Sequence, residues 1–148
     1  LGVDRWLLML AVRERLGEGV TALAADCGTA VTVDCFDRNA HQGGVIAPGV
    51  STMLASLKGN TADLPEVAVD TSLPQRWAVN TEEAIAAGCM YSVAGLLQAQ
   101  RHALTVDEPL QCFISGGDAK LLRKALADWQ LDETLVLEGL RLWACQEK

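Results

Sequence analysis

Two short runs rich in Ala, Val and Thr, Thr21–Asp26 and Ala30–Cys35, are separated only by Cys27-Gly28-Thr29. A linker this short cannot carry a crossover, so the two runs can pair only as an antiparallel hairpin. His41–Ala47 reads as a third strand closed by Pro48-Gly49, which predicts a three-stranded meander. Ahead of it, residues 4–16 read as a helix: Leu7, Leu10 and Ala11 share a face, Arg13, Glu14 and Arg15 face solvent, and Gly17 and Gly19 stop it.

The rest of the chain changes character. Pro48-Gly49-Val50-Ser51 predicts the start of a helix to about Lys58, ended by Gly59. Residues 60–79 carry two prolines, several acids and no periodicity, the pattern of a long functional or mobile loop. Asn80 with Glu83 has the spacing of a capping box, and opens a helix to about Leu104 with Ile85, Gly88, Cys89 and Leu96 along one side. Gln111–Ser115 reads as a strand running into Gly116-Gly117, Asp118–Trp129 as an amphipathic helix, Thr134–Glu138 as a strand and Leu140–Cys145 as a terminal helix. A meander followed by helix-linked strands is the order of a mixed α/β sheet with helices on its faces, as in ribonuclease H-like domains.

Composition narrows the function classes. The chain has 148 residues, half of them hydrophobic and 21% charged, which suits one globular domain and excludes disorder and disulfide mini-scaffolds. Lys and Arg number 12 against 19 Asp and Glu, a net charge of −7, and the basic residues are scattered. This argues against a nucleic-acid groove, yet leaves open a phosphorylated small molecule held by backbone N–H groups or metal ions. No apolar stretch is long enough to span a bilayer, and the opening Leu1-Gly2-Val3-Asp4-Arg5 carries a charge pair where a signal peptide would be apolar. Five dispersed cysteines without a Cys-x-x-Cys predict a reduced, cytoplasmic protein without disulfides or zinc. The chain opens on Leu and not Met, which points to a missing natural start.

Asp26-Cys27-Gly28-Thr29 is the most informative segment. A Gly-Thr hairpin tip can aim successive N–H groups at phosphate oxygens while the carboxylate holds a cation; the alternative is an ordinary hairpin with an Asp at its turn. Asp34 could join Asp26 in a two-carboxylate metal site. Centring the turn on Gly28, however, pairs Asp34 near Ala22, ~13 Å along the strand, and makes it a strand-end residue. Gly43-Gly44 through Pro48-Gly49 reads as close strand–helix packing. Ser115-Gly116-Gly117-Asp118 lies at a strand's carboxyl end, where α/β sheets bind ligands, or is a turn with Asp118 as N-cap. Asp4 is a cap or dipole partner of the first helix, or a general base. His41 and His102 have no partner at metal-ligand spacing and are expected on the surface, and the four tryptophans are expected as packing residues.

Taken jointly, Gly2-Val3-Asp4-Arg5-Trp6, Asp26-x-Gly28-Thr29-Ala30-x-Thr32-x-Asp34 and Gly43-Gly44-x-Ile46-x-Pro48-Gly49 resemble type III pantothenate kinase. So do Leu64-Pro65, Asn80-Thr81 ahead of Ala84-Ile85 and Gly88, Ser115-Gly116-Gly117-Asp118-Ala119, and Leu135 to Leu140. That family phosphorylates pantothenate with ATP, towards coenzyme A, and belongs to the acetate and sugar kinase/Hsp70/actin superfamily, built from two ribonuclease H-like domains. The resemblance implies that Asp4 accepts the proton of the pantothenate hydroxyl, in a pocket lined by Gly2, Val3 and Arg5. Arg5 would suit the substrate carboxylate. Thr81 would contact pantothenate, Asp26 would hold a monovalent cation (potassium or ammonium), and Mg2+ would accompany ATP. Gly28 and Thr29 would meet ATP phosphate, with Gly116 and Gly117 near the adenosine. Relatives also carry an Asp-x-Gly-Asn-Thr loop in a first domain, and form homodimers with pantothenate bound near the interface. No such loop occurs here, so residues 1–148 are expected to be the carboxyl-terminal domain, inactive alone.

Two other readings compete with the kinase. One is a non-catalytic regulatory or interaction protein derived from it, of the accessory transcription-factor type. The other is an unrelated actin-like ATPase domain. Joint retention of Asp4, Arg5, Asp26, Thr29 and Thr81 favours a kinase origin, because a scaffold has no need of all five.

Overall fold

A computed structural model describes residues 2–17, 19–37, 40–61, 65, 67, 77–104 and 110–146. The predicted 60–79 loop falls mostly outside these residues, as does Leu64. β1 (Ala22–Cys27), β2 (Ala30–Asp37) and β3 (Ala40–Pro48) form the expected antiparallel meander. β4 (Gln111–Ser115) pairs parallel with β1 and β5 (Gln130–Leu131) parallel with β4, giving a five-stranded mixed sheet in the order β3-β2-β1-β4-β5.

β1 is central, and all its residues but Asp26 are buried, the near-continuous apolar run of a strand covered on both faces. Alternation along the strands sorts the sheet's two sides. Ala22, Ala24 and Phe113 pack with Leu8, Ala11 and Val12 of α1 (Val3–Leu16) and Leu135 of α5 (Leu135–Gln146). Leu23, Ala25, Cys27, Val31 and Val33 pack against α2 (Val50–Asn60), α3 (Thr81–Ala103) and α4 (Ala119–Leu122). Register places Asp26 opposite Thr32 and Ala24 opposite Asp34, so all three polar residues lie on the α1 side.

The helix ends are partly as the sequence predicts. Gly17, at φ 75°, closes α1, and the Asn80 side chain accepts from the Glu83 N–H at 2.9 Å to cap α3. α2 runs through Gly59 to Asn60 instead of stopping at it.

Two predicted elements are corrected. Only Ala119–Leu122 of the expected Asp118–Trp129 helix is helical; the chain then turns towards β5. Thr134–Glu138 is not a strand, because α5 begins at Leu135. The reason is local: the Asp132 carboxylate accepts from the Thr134 N–H (2.8 Å) and hydroxyl (2.7 Å), a turn that launches a helix. Gly139 then lets α5 press against the Leu7 carbonyl of α1, where a Cβ would overlap backbone. Of the tryptophans only Trp129 is buried; Trp6, Trp77 and Trp143 are exposed, against expectation. Among the described residues, no helix is long and apolar enough to cross a membrane.

Candidate active site

The carboxyl end of β1 and the start of α1 each carry a carboxylate, and the charge of one acts on the other. Asp4 lies in the first turn of α1, whose N-cap is Gly2 with no side-chain cap bond, so Asp4 is not the cap. Asp26 is half-buried at the end of β1. Burial raises its pKa above the usual carboxylate range, and the charge of Asp4 raises it further. Among the described residues, no hydrogen bond or ion pair neutralises Asp26. Gly116 closes over it at φ 94°: a Cβ there would stand 2.5 Å from Asp26 Oδ1 and overlap the Cys27 carbonyl. The glycine is needed for both the backbone angle and the close approach.

The hairpin tip is held from two sides. The Asp118 N–H donates to the Cys27 carbonyl at 2.9 Å, while the Gly49 N–H (2.9 Å) and the Thr52 hydroxyl (2.6 Å) both donate to the Thr29 carbonyl. The Gly28 N–H is spent within the hairpin on the Ala30 carbonyl, so the expected row of free N–H groups at the tip is incomplete. Thr29 is exposed. Asp118 makes no side-chain cap bond; its carboxylate instead accepts from the Ser51 hydroxyl at 3.4 Å on each oxygen. Beside this rim a cavity of about 600 Å³ opens, lined by Val50, Ser51, Leu54, Lys58 and Leu121 among others.

Arg5, one residue beyond Asp4, is engaged by Asp34. Its Nε–H donates to Asp34 Oδ2 at 2.8 Å and its Nη2 to Oδ1 at 2.5 Å. These bonds raise the guanidinium pKa still further. His41 Nε2 reaches Asp34 Oδ1 at 2.7 Å. Asp34 is therefore no strand-end residue: it sits inside β2, fully buried, and pairs with Ala24, not Ala22. A metal shared with Asp26 is still opposed, because Arg5 occupies both oxygens of Asp34. His41 is exposed, as expected, while its ring reaches this buried carboxylate. His102 is exposed.

Thr81 stands apart, lining an apolar groove of about 720 Å³ between α2 and α3 with Pro48, Thr52, Met53, Leu57 and Ile85. None of that groove's lining comes from α1. Gly2 and Val3 are exposed at the start of α1. The Thr32 hydroxyl, across the ladder from Asp26, is buried without a hydrogen-bond partner. Among the described residues, no three His, Cys, Asp or Glu side chains gather to hold a metal ion.

The family model for type III pantothenate kinase matches residues 1–103. This chain belongs to the type III pantothenate kinase family. The type III pantothenate kinase of Cupriavidus pinatubonensis is 39% identical, over 97% of this chain and 56% of that protein. That of a Janthinobacterium species is 37% identical, over 99% and 58%. The chain thus spans a little over half the length of the kinases it matches. Among solved structures, a putative Baf family transcriptional activator from Campylobacter jejuni superposes with a TM-score of 0.71 at 22% identity, covering 99% of this chain and 65% of that one. An activator of 2-hydroxyisocaproyl-CoA dehydratase from Clostridium difficile gives 0.56 at 17%, covering 97% and 66%. Such distant likenesses show the fold alone, a mixed α/β sheet with flanking helices. In this pantothenate kinase relative, the Arg5–Asp34–His41 cluster is what sequence reasoning missed. Its signals were the Asp34 of the hairpin motif and Gly44, whose Cβ would stand 2.5 Å from Asp34 Oδ1 and 2.8 Å from Arg5 Nη2.

Proposed function

We propose that residues 1–148 form the carboxyl-terminal ribonuclease H-like domain of a cytoplasmic pantothenate kinase, which transfers phosphate from ATP to the pantothenate hydroxyl. The observation that carries this reading is the half-buried Asp26 carboxylate, unpaired among the described residues, at the rim closed by Gly116, with its pKa raised by burial and by the charge of Asp4. Asp4, exposed in the first turn of α1, takes the hydroxyl proton. The exposed Thr29 tip and the start of α2 meet the ATP phosphates, and Gly116-Gly117 border the adenosine, for which the cavity beside Ser51 has room. Gly2, Val3 and Arg5 line the pantothenate pocket.

The donor set fits the two cations unequally. Asp26 offers a hard, unneutralised oxygen to an alkali cation, and a positive charge there relieves its repulsion with Asp4. With no three-ligand cluster among the described residues, Mg2+ suits this site only as the partner of ATP phosphates and water. When bound, it neutralises phosphate charge. Thr81 lies on a groove with no lining from α1, so we assign its contact with pantothenate to a second copy of the chain in a homodimer.

The test is ATP-dependent formation of 4'-phosphopantothenate by purified residues 1–148, alone and with the amino-terminal part of the Cupriavidus relative added. Phosphoryl transfer needs groups on both sides of the phosphates, so the chain alone should show no turnover and the mixture should show some. Turnover by the chain alone would overturn the two-sided cleft. Failure of a covalently joined, folded pair to turn over would count against the kinase reading itself.

A further inference from the structure

Arginine carries five N–H donors on two usable edges, a side-on edge (Nε and Nη2) and an end-on edge (Nη1 and Nη2). In this chain the side-on edge is already spent, since Nε–H and one Nη2–H hold Asp34. The Arg5 side chain keeps 17% of its surface open, whereas that of Asp34 has none. Both N–H groups of Nη1 and the second of Nη2 remain for something outside the pair.

We infer that Asp34 is a positioning residue. It spends the side-on edge of Arg5, fixes the guanidinium plane, and leaves only the end-on edge to receive a substrate carboxylate. This rests on the pantothenate reading and adds to it a residue that does not touch the substrate. Three features support a built arrangement over an incidental ion pair. Asp34 is a buried carboxylate on a central stretch of β2, placed there at the cost of its desolvation. Its Oδ1 also meets His41 from β3, so Asp34 is held from two elements while Arg5 comes from a third. The space for the pair exists because residue 44 of β3 is glycine; a Cβ would press on Asp34 Oδ1 and Arg5 Nη2 and overlap the Val33 carbonyl. A guanidinium fixed in this way loses less freedom when it binds an anion than one that must first be ordered.

The test follows the Arg5 Nε–H resonance of the 148-residue chain, identified by its loss in Arg5→Lys, during titration with pantothenate and with pantothenol, which has an alcohol in place of the carboxylate. In the wild type the Nε–H should exchange slowly, and pantothenate should bind at least about tenfold more tightly than pantothenol, the worth of one charge-assisted bond pair. Asp34→Asn should free the Nε–H to exchange and reduce that preference to about threefold or less, with the amide pattern of the sheet retained. Asp34→Asn combined with Arg5→Lys should discriminate no worse than Arg5→Lys alone, since Asp34 acts through Arg5. Retained preference in a folded Asp34→Asn protein would overturn the inference. So would a fast-exchanging Arg5 Nε–H in the wild type, a result that does not depend on any variant folding. A chain that bound neither compound, yet lost its protected Nε–H in Asp34→Asn, would set aside pantothenate as ligand and leave the positioning of Arg5 standing.

Discussion

The backbone N–H of Asp118 donates to the carbonyl of Cys27 at 2.9 Å, joining the turn after β4 to the hairpin between β1 and β2. That bond makes one rim of two segments far apart in the chain. Every group proposed to meet the nucleotide lies on it or next to it.

Gly116 should tolerate no side chain. Gly116→Ala adds a methyl group at φ 94°, against Asp26 and the Cys27 carbonyl, so the rim must open or the backbone strain. We expect a loss of about 1–3 kcal/mol in urea unfolding of the chain. A midpoint equal to the wild type would show that the rim yields freely.

Asp4→Asn has two expected effects. In a protein completed by its remaining domain, phosphoryl transfer should fall about 10²–10⁴-fold with the fold intact. In the 148-residue chain, the Asp26 carboxyl should titrate at lower pH, because the Asp4 charge that raises its pKa is gone. Carboxyl titration by NMR reads the second effect directly. An unmoved Asp26 would mean that the two carboxylates do not interact.

Asp26 should weaken the fold as pH rises. Its folded pKa lies above the ordinary aspartate value of 3.8, so between the unfolded and folded values the native state holds more protons. Stability from this group is full below the unfolded pKa and is lost as pH climbs through the folded one. Asp26→Asn should therefore unfold at higher temperature than the wild type at neutral pH, and the gap should close in acid. In the completed protein, sodium in place of potassium should depress activity for the wild type but not for Asp26→Ala. A Tm gap that stayed constant with pH would contradict the first expectation, and equal rates in both salts the second.

The completed protein should be a dimer, with the α2–α3 groove at or near the contact and Thr81 serving the partner's pocket. Light scattering should give twice the chain mass. A strict monomer at high concentration that still turned over would remove the shared site.

How far the sequence disclosed this can be traced residue by residue. The meander was legible because Cys27-Gly28-Thr29 allows nothing else, and the α3 cap because Asn80 and Glu83 interact locally. The Asp34 pairing was not. The observed ladder is centred on Thr29, with Cys27 opposite Val31, and centring it on Gly28 moves every partner by two residues. A two-residue shift keeps the faces correct, so alternation gave no warning. The Arg5–Asp34 bond joins positions 29 residues apart, with no short-range signal. Leu135-Val136-Leu137 looked like a strand because short apolar runs are ambiguous, and only the Asp132 turn and the seat of Gly139 on α1 decide it.

The pairing of β1 with β4 carries one more consequence, for the order in which binding competence appears. β1 and β2 meet through a tight turn, whereas Ala22 must find Gln111 across most of the chain, a closure with a far larger entropic cost. Asp26 and Thr29 come with the local pair, but Gly116 and the Asp118 bond arrive only with the distant one. A chain caught between these two events has a formed hairpin and no rim. Nucleotide affinity at this place would therefore measure completion of the whole sheet, and a peptide of the hairpin alone would not reproduce it.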